Sequence, residues 1–164
     1  QLLSYCRAIE DGSYSLANTA RGGSTTRART NAERLDLVAQ HRAAGEWVMK
    51  FGPSGKMLRN SAVMGAIGRA WYYEDDKERL SRFCQVLQTG LYDNETEMSA
   101  IALRNYIFMK AGMAATPQLW RDTFLKTQNA ISNFMAGRKV KAIRAVSDET
   151  YPLKKSRKAA AKKG

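Results

Sequence analysis

Histidine occurs once in this chain, as His41, cysteine twice, as Cys6 and Cys84, and proline three times. One histidine and two distant cysteines offer no ligand set for a tetrahedral zinc site and no disulfide framework. Two isolated thiols suit a reducing compartment. No apolar run approaches the ~20 residues that cross a bilayer, and no apolar segment follows a basic start as in a secretory leader. Acids are scarce too. The chain has 15 Asp and Glu against 27 Lys and Arg, a formal net charge of +12 over 164 residues. These absences point to a protein of the cytoplasm or nucleoid, with no cofactor, no metal and no membrane insertion.

What is present is enough for one domain. A chain of this length buries roughly two-thirds of its unfolded surface, and 44% of the residues are hydrophobic, which excludes a disordered polypeptide. Helical spacing recurs. Leu2, Leu3, Cys6 and Ile9 suit a first helix ended by Gly12. Thr30 stands three residues before Glu33, the pattern of a capping box. Leu35, Val38 and Ala39 are the expected buried stripe of that helix, with His41 near its end in a structural or exposed role. Gly45 is expected to separate it from a short turn of helix over 46–51. Asn60 or Ser61 caps a helix over 61–73, in which Gly65 and Gly68 imply a neighbour packed close to the backbone. Asp75 or Asp76 starts the next helix, which Gly90 stops, with Cys84 on its apolar side. A helix over 95–111 follows, with Met98, Ile101, Ala102, Asn105, Phe108 and Met109 on one face. Thr116-Pro117 opens the last, over 117–136, with Trp120, Phe124, Ile131, Phe134 and Met135 inside. Residues 138–146 suit a short strand or a final helical turn. The expected fold is all-α, a compact bundle of about five to seven helices with a disordered basic C-terminal tail. Its organisation is an N-terminal helix and flexible basic arm (1–30), a helical core (31–152) and the tail (153–164).

Chemistry-bearing motifs are few. Gly52-Pro53-Ser54-Gly55-Lys56 shares half of a phosphate-binding loop, but Lys50 replaces the first glycine and Met57 the hydroxyl after the lysine. Asp75, Asp76, Glu78, Glu95 and Glu97 fall at expected helix starts, where acids favour the dipole. No nucleophile has a base at readable spacing, so a non-enzymatic protein is expected. Positive charge is the stronger signal. Residues 154–164 carry six cations and no acid, and the Ser/Thr/Gly-rich stretch 17–30 carries Arg21, Arg27 and Arg29 with no acid. Such runs stay solvated until a polyanion neutralises them. Lacking an aromatic or leucine to insert, the tail could touch anionic lipid by charge alone. Arg138, Lys139, Lys141 and Arg144 crowd the stretch after Gly137. Arg79 and Arg82 share one helix, and Arg104 and Asn105 the next; arginine suits phosphate or guanine and asparagine suits adenine. The candidate nucleic-acid-binding residues are Arg104, Arg138, Lys139, Lys141, Arg144, Lys154, Lys155, Arg157, Lys158, Lys162 and Lys163. For Arg104 the alternative is a half-buried ion pair with an acid such as Glu97 or Asp93.

Thr89-Gly90, Ala102-Leu103-Arg104-Asn105-Tyr106, Lys126, Asn129-Ala130, Phe134 and Gly137-Arg138 form a pattern that resembles a helical domain of phage and mobile-element proteins. That domain often follows, or is fused to, a ParB/sulfiredoxin-like domain. The likeness runs from about Glu78 to Pro152, and residues 30–52 suit its preceding helices. It implies a DNA-associated helical module without the catalytic half: Gln40-His41-Arg42 lacks the glycine of the ParB-type Gly-His-Arg run. The chain opens on Gln1, which leaves room for a catalytic domain upstream. The expected function is thus binding of DNA, with RNA as the second polyanion, mainly through the phosphate backbone. The alternatives are a phage assembly or anti-defence module that binds a protein, or the non-catalytic part of a larger ParB-like enzyme.

Overall fold

Side-chain caps set where four of the helices begin. The structure, a computed structural model, describes residues 1–14 and 28–153. Among them are six α-helices and no strand: α1 (Leu2–Asp11), α2 (Asn31–Phe51), α3 (Ser61–Trp71), α4 (Lys77–Thr89), α5 (Met98–Lys110) and α6 (Pro117–Met135). Thr30 and Glu33 form the capping box, Thr30 Oγ1 accepting from the Glu33 N–H at 3.2 Å and Glu33 Oε2 from the Thr30 N–H at 2.8 Å. Asn60, Asp76 and Thr116 each accept a backbone N–H three residues on, and Pro117 fills the first position of α6. Gly90 ends α4 at φ +73°, a conformation that other residues adopt with strain. A 3-10 turn, Gly12–Tyr14, follows α1, and another, Glu95–Glu97, leads into α5.

The all-α bundle is built around α3. Every residue from Ala62 to Ala70 is buried, because α1 and α2 cover one side and α6 another. Small residues allow that approach. A Cβ on Gly65 would lie 2.8 Å from Ala8 Cβ, and one on Gly68 would collide with the Ile9 side chain. The main core joins Val63, Met64 and Ile67 of α3 to Leu80, Phe83 and Leu87 of α4, Leu103 of α5, and Ile131 and Phe134 of α6. Phe83 and Phe134 meet edge to face at 5.3 Å. α1 buries Tyr5, Cys6, Ala8 and Ile9, so it is part of the core rather than an appendage to it. Cys84 is buried as well, and burial pushes its thiol up to about 12; it packs as a hydrophobe.

Four local expectations fail, three of them for a packing reason. Gly45 does not end a helix: α2 runs through it to Phe51. A Cβ there would sit 2.8 Å from Leu2 Cδ1, so the glycine lets α1 lie close. The buried stripe of α2 is Leu37, His41, Ala44, Gly45 and Val48, whereas Leu35 is 71% exposed. Among the described residues, positions 31–36 at the start of this helix are exposed or only partly buried, and an apolar spacing there marks no interior. On α5 the buried side is Ser99, Ala100, Leu103, Tyr106 and Ile107, while Phe108 and Met109 face outward. Apolar residues surround that helix, so its periodicity does not choose a face. Residues 138–146 form neither strand nor helix.

Candidate nucleic-acid interface

The expected basic residues divide into cations used inside the fold and cations left at its surface. Arg104 belongs to the first group. Projecting from the middle of α5, it is half-buried, and its Nη1 donates to the carbonyls of Leu87 (2.8 Å) and Gln88 (2.6 Å). Its guanidinium also lies 4.6 Å from the Phe108 ring centre. It therefore closes the C-terminus of α4, where free carbonyls and the dipole favour a cation. The acids weighed as its partners go elsewhere. Arg82 Nε donates to Glu97 Oε2 at 2.7 Å and Arg82 Nη2 to Asp93 Oδ2 at 3.2 Å. Glu97 is 3% exposed, and the Arg82 bond holds its carboxyl below the usual range against the cost of burial. Arg79 points inward too, both Nε and Nη2 donating to the Phe134 carbonyl at the end of α6.

The second group follows α6. Arg138, Lys139, Lys141 and Arg144 are all exposed along the irregular segment after Gly137. Arg138 makes one long bond, 3.3 Å, to Asn133 Oδ1. Lys139 Nζ lies 3.8 Å from Glu95 Oε2, with both side chains mostly in solvent, a pair that contributes little. Arg121 Nη2 donates to the Ser147 carbonyl at 2.8 Å and holds the far end of the segment against α6. The backbone is thus tethered at both ends while its cations project into water. Among the described residues Lys141 and Arg144 meet no carboxylate within ion-pair distance. Lys154, Lys155, Arg157, Lys158, Lys162 and Lys163 lie outside the described residues, as do Arg21 and Arg27 of the arm. Arg29 is described, and it pairs with Asp11 at 2.5 Å.

One constellation left no trace in the sequence. His41 is 2% exposed. Its Nε2 lies 2.6 Å from Glu10 Oε2, and its Nδ1 lies 2.7 Å from the Tyr72 hydroxyl. The His41 bond, outweighing burial, lowers the Glu10 carboxyl from its usual range. The Glu10 carboxylate and the Tyr72 hydroxyl thus engage both ring nitrogens of His41. The chain Tyr72–His41–Glu10 ties α3, α2 and α1 together. Residue spacing could not show it, because the three partners come from three helices. Elsewhere among the described residues no three His, Cys, Asp or Glu side chains gather as a group that could hold a metal ion, and no helix is long and apolar enough to cross a membrane.

Comparison with family models, with curated proteins and with solved structures finds no match for this chain.

Proposed function

We propose that the chain is a non-enzymatic DNA-binding helical module of a phage or mobile-element protein that works in the cytoplasm or nucleoid and contacts mainly the phosphate backbone. The observation that carries this reading is the segment after α6, which holds Arg138, Lys141 and Arg144 at the surface without carboxylate partners among the described residues. The charge of the remaining chain agrees with it. Residues 15–27 and 154–164 hold eight of the 27 cations and none of the 15 acids. A polyanion that meets such surfaces releases condensed counterions, which makes affinity steeply dependent on salt. The resemblance to a DNA-associated domain supports the phage or mobile-element setting, and base readout has no support in a recognition helix. Arg104 contributes here by holding the end of α4.

The test is titration of a labelled DNA duplex at several salt concentrations between about 50 and 200 mM, followed by the same titration with an RNA duplex. The expected plot of log affinity against log salt is linear and steep. Replacing Arg138, Lys141 and Arg144 together with glutamine should lower its slope by roughly 2–3, since each duplex phosphate contact contributes about 0.9. Affinity that ignores salt overturns the proposal.

A protein-binding role, as an assembly or anti-defence module, draws on one different observation. Leu91, just after α4, and Met109 and Met113, at the C-terminal end of α5, are 73%, 68% and 57% exposed. Under that reading the triple glutamine variant keeps its partner and the basic residues only aid solubility.

A further inference from the structure

A cleft of about 200 Å³ opens beside the Tyr72–His41–Glu10 chain, lined by Gln40, His41, Tyr72, Tyr73 and Leu153. We propose that it receives one unpaired nucleobase of a bound strand, stacked on Tyr72; this rests on the nucleic-acid reading above and adds to it a preference for unpaired bases.

Among the described residues its lining holds neither a carboxylate nor a lysine or arginine, which favours an uncharged ligand over a phosphate or a cation. The single titratable cation-former, His41, has both ring nitrogens engaged. What remains is a planar, uncharged ligand. The volume falls below the roughly 300 Å³ at which pockets take drug-sized molecules, which leaves room for a ring system and little more. The tyrosines are fixed in advance. Tyr72 is 43% exposed, yet its hydroxyl is held at 2.7 Å by His41 and its ring meets Trp71 edge to face at 5.3 Å. Tyr73 donates its hydroxyl to the Pro152 carbonyl and packs at 5.3 Å on Tyr151. A ring already held in place loses little freedom when a base stacks on it. Gln40 is exposed at the rim on α2, with an amide able to pair with the edge of adenine. Leu153 closes the cleft and directly precedes the six cations of 154–164.

The full chain is titrated with three probes of equal charge and length: a single-stranded oligoadenylate of deoxyribose, the same strand with every base removed, and a single strand carrying 2-aminopurine. The base-bearing strand should bind about tenfold more tightly than the abasic one, within the range one stacked base supplies. The 2-aminopurine emission should be quenched on binding. Tyr72→Ala should remove both effects, while Tyr72→Phe, which keeps the ring, should retain them. Should Tyr72→Ala fail to fold, Gln40→Ala at an exposed position serves instead and should bring the affinity for the oligoadenylate down toward that of the abasic strand. Equal affinity for the base-bearing and abasic strands, or binding without quenching, overturns the base pocket and leaves phosphate binding standing. Failure of all three probes to bind at low salt overturns both readings.

Discussion

Arg82 shows how a cation that looks available in the sequence is taken by the fold. Its guanidinium reaches Glu97 through Nε at 2.7 Å and Nη2 at 3.2 Å, and Glu97 Oε1 also accepts the Asp93 N–H at 2.8 Å. A carboxylate only 3% exposed is tolerated because the Arg82 guanidinium and a backbone N–H both bind it. Glu97→Gln is expected to cost about 2 kcal/mol at neutral pH, the usual worth of hydrogen bonds to a charged group, measured by urea denaturation. The pH dependence follows from the sign of the shift. The folded carboxyl titrates below its ordinary value of 4.5, so its stabilisation is complete above that value and is lost as pH falls through the folded pKa. Glu10, lowered through His41, acts in the same direction. Unfolding free energy should therefore drop steeply below about pH 4.5, and less steeply in Glu97→Gln. Equal slopes for the two proteins would show that the pair contributes nothing.

Element ends account for much of the remaining basic charge. Five of the six described helices have a carbonyl in their last turn that accepts from an Arg or Lys held elsewhere in the chain. Arg69 serves α1 through the Ile9 and Glu10 carbonyls, Arg59 serves α2 through Met49, and Lys77 serves α3 through Trp71. Arg104 and Arg79 do the same for α4 and α6. Each places positive charge where the macrodipole is negative, a contribution of about 1 kcal/mol per site. Arg104→Ala should thus lower the urea midpoint while leaving the salt dependence of DNA binding unaltered. A reduced slope in that variant would return Arg104 to the interface. The crossing of α1 and α3 is sensitive in another way: Gly65→Ala would press a methyl against Ala8 at 2.8 Å. Overpacking of this kind costs roughly 1–3 kcal/mol, and calorimetry should show the corresponding fall in Tm.

At the scale of the molecule, the chain is locked just before its basic C-terminus. Arg69, 3% exposed, binds Glu149 at 2.8 Å, and Glu149 also accepts the Ser13 N–H at 2.9 Å. Tyr151 is buried, with its N–H on Gln128 and its hydroxyl on Glu74. Burial, and then the Glu74 carboxylate, push that hydroxyl's pKa up. Residues 149–152 therefore join α1, α3 and α6, and the cations after Leu153 start from a fixed place. Removing 154–164 should leave the urea midpoint unchanged and reduce the salt slope of DNA binding. Removing 149–164 should in addition cost about 3–5 kcal/mol, because Arg69 would be left as an unpaired buried charge. Similar stability for the two truncations would refute the lock.

Four helix starts were legible in the sequence, since a cap is satisfied within three or four residues: Thr30 by Glu33, Asn60 by Val63, Asp76 by Arg79, Thr116 by Leu119. Gly65 and Gly68 likewise announced a close neighbour without naming Ala8 and Ile9. Only the tertiary structure decided which face of α2 and α5 is covered, and which cations are consumed. An apolar side chain carries no mark of the surface that will meet it. The partner of a guanidinium is chosen among carbonyls and carboxylates brought near by other helices, as Arg69 finds Glu149 across 80 positions. For the same reason the cleft beside Tyr72 exists only once α1, α2, α3 and the C-terminal segment have met.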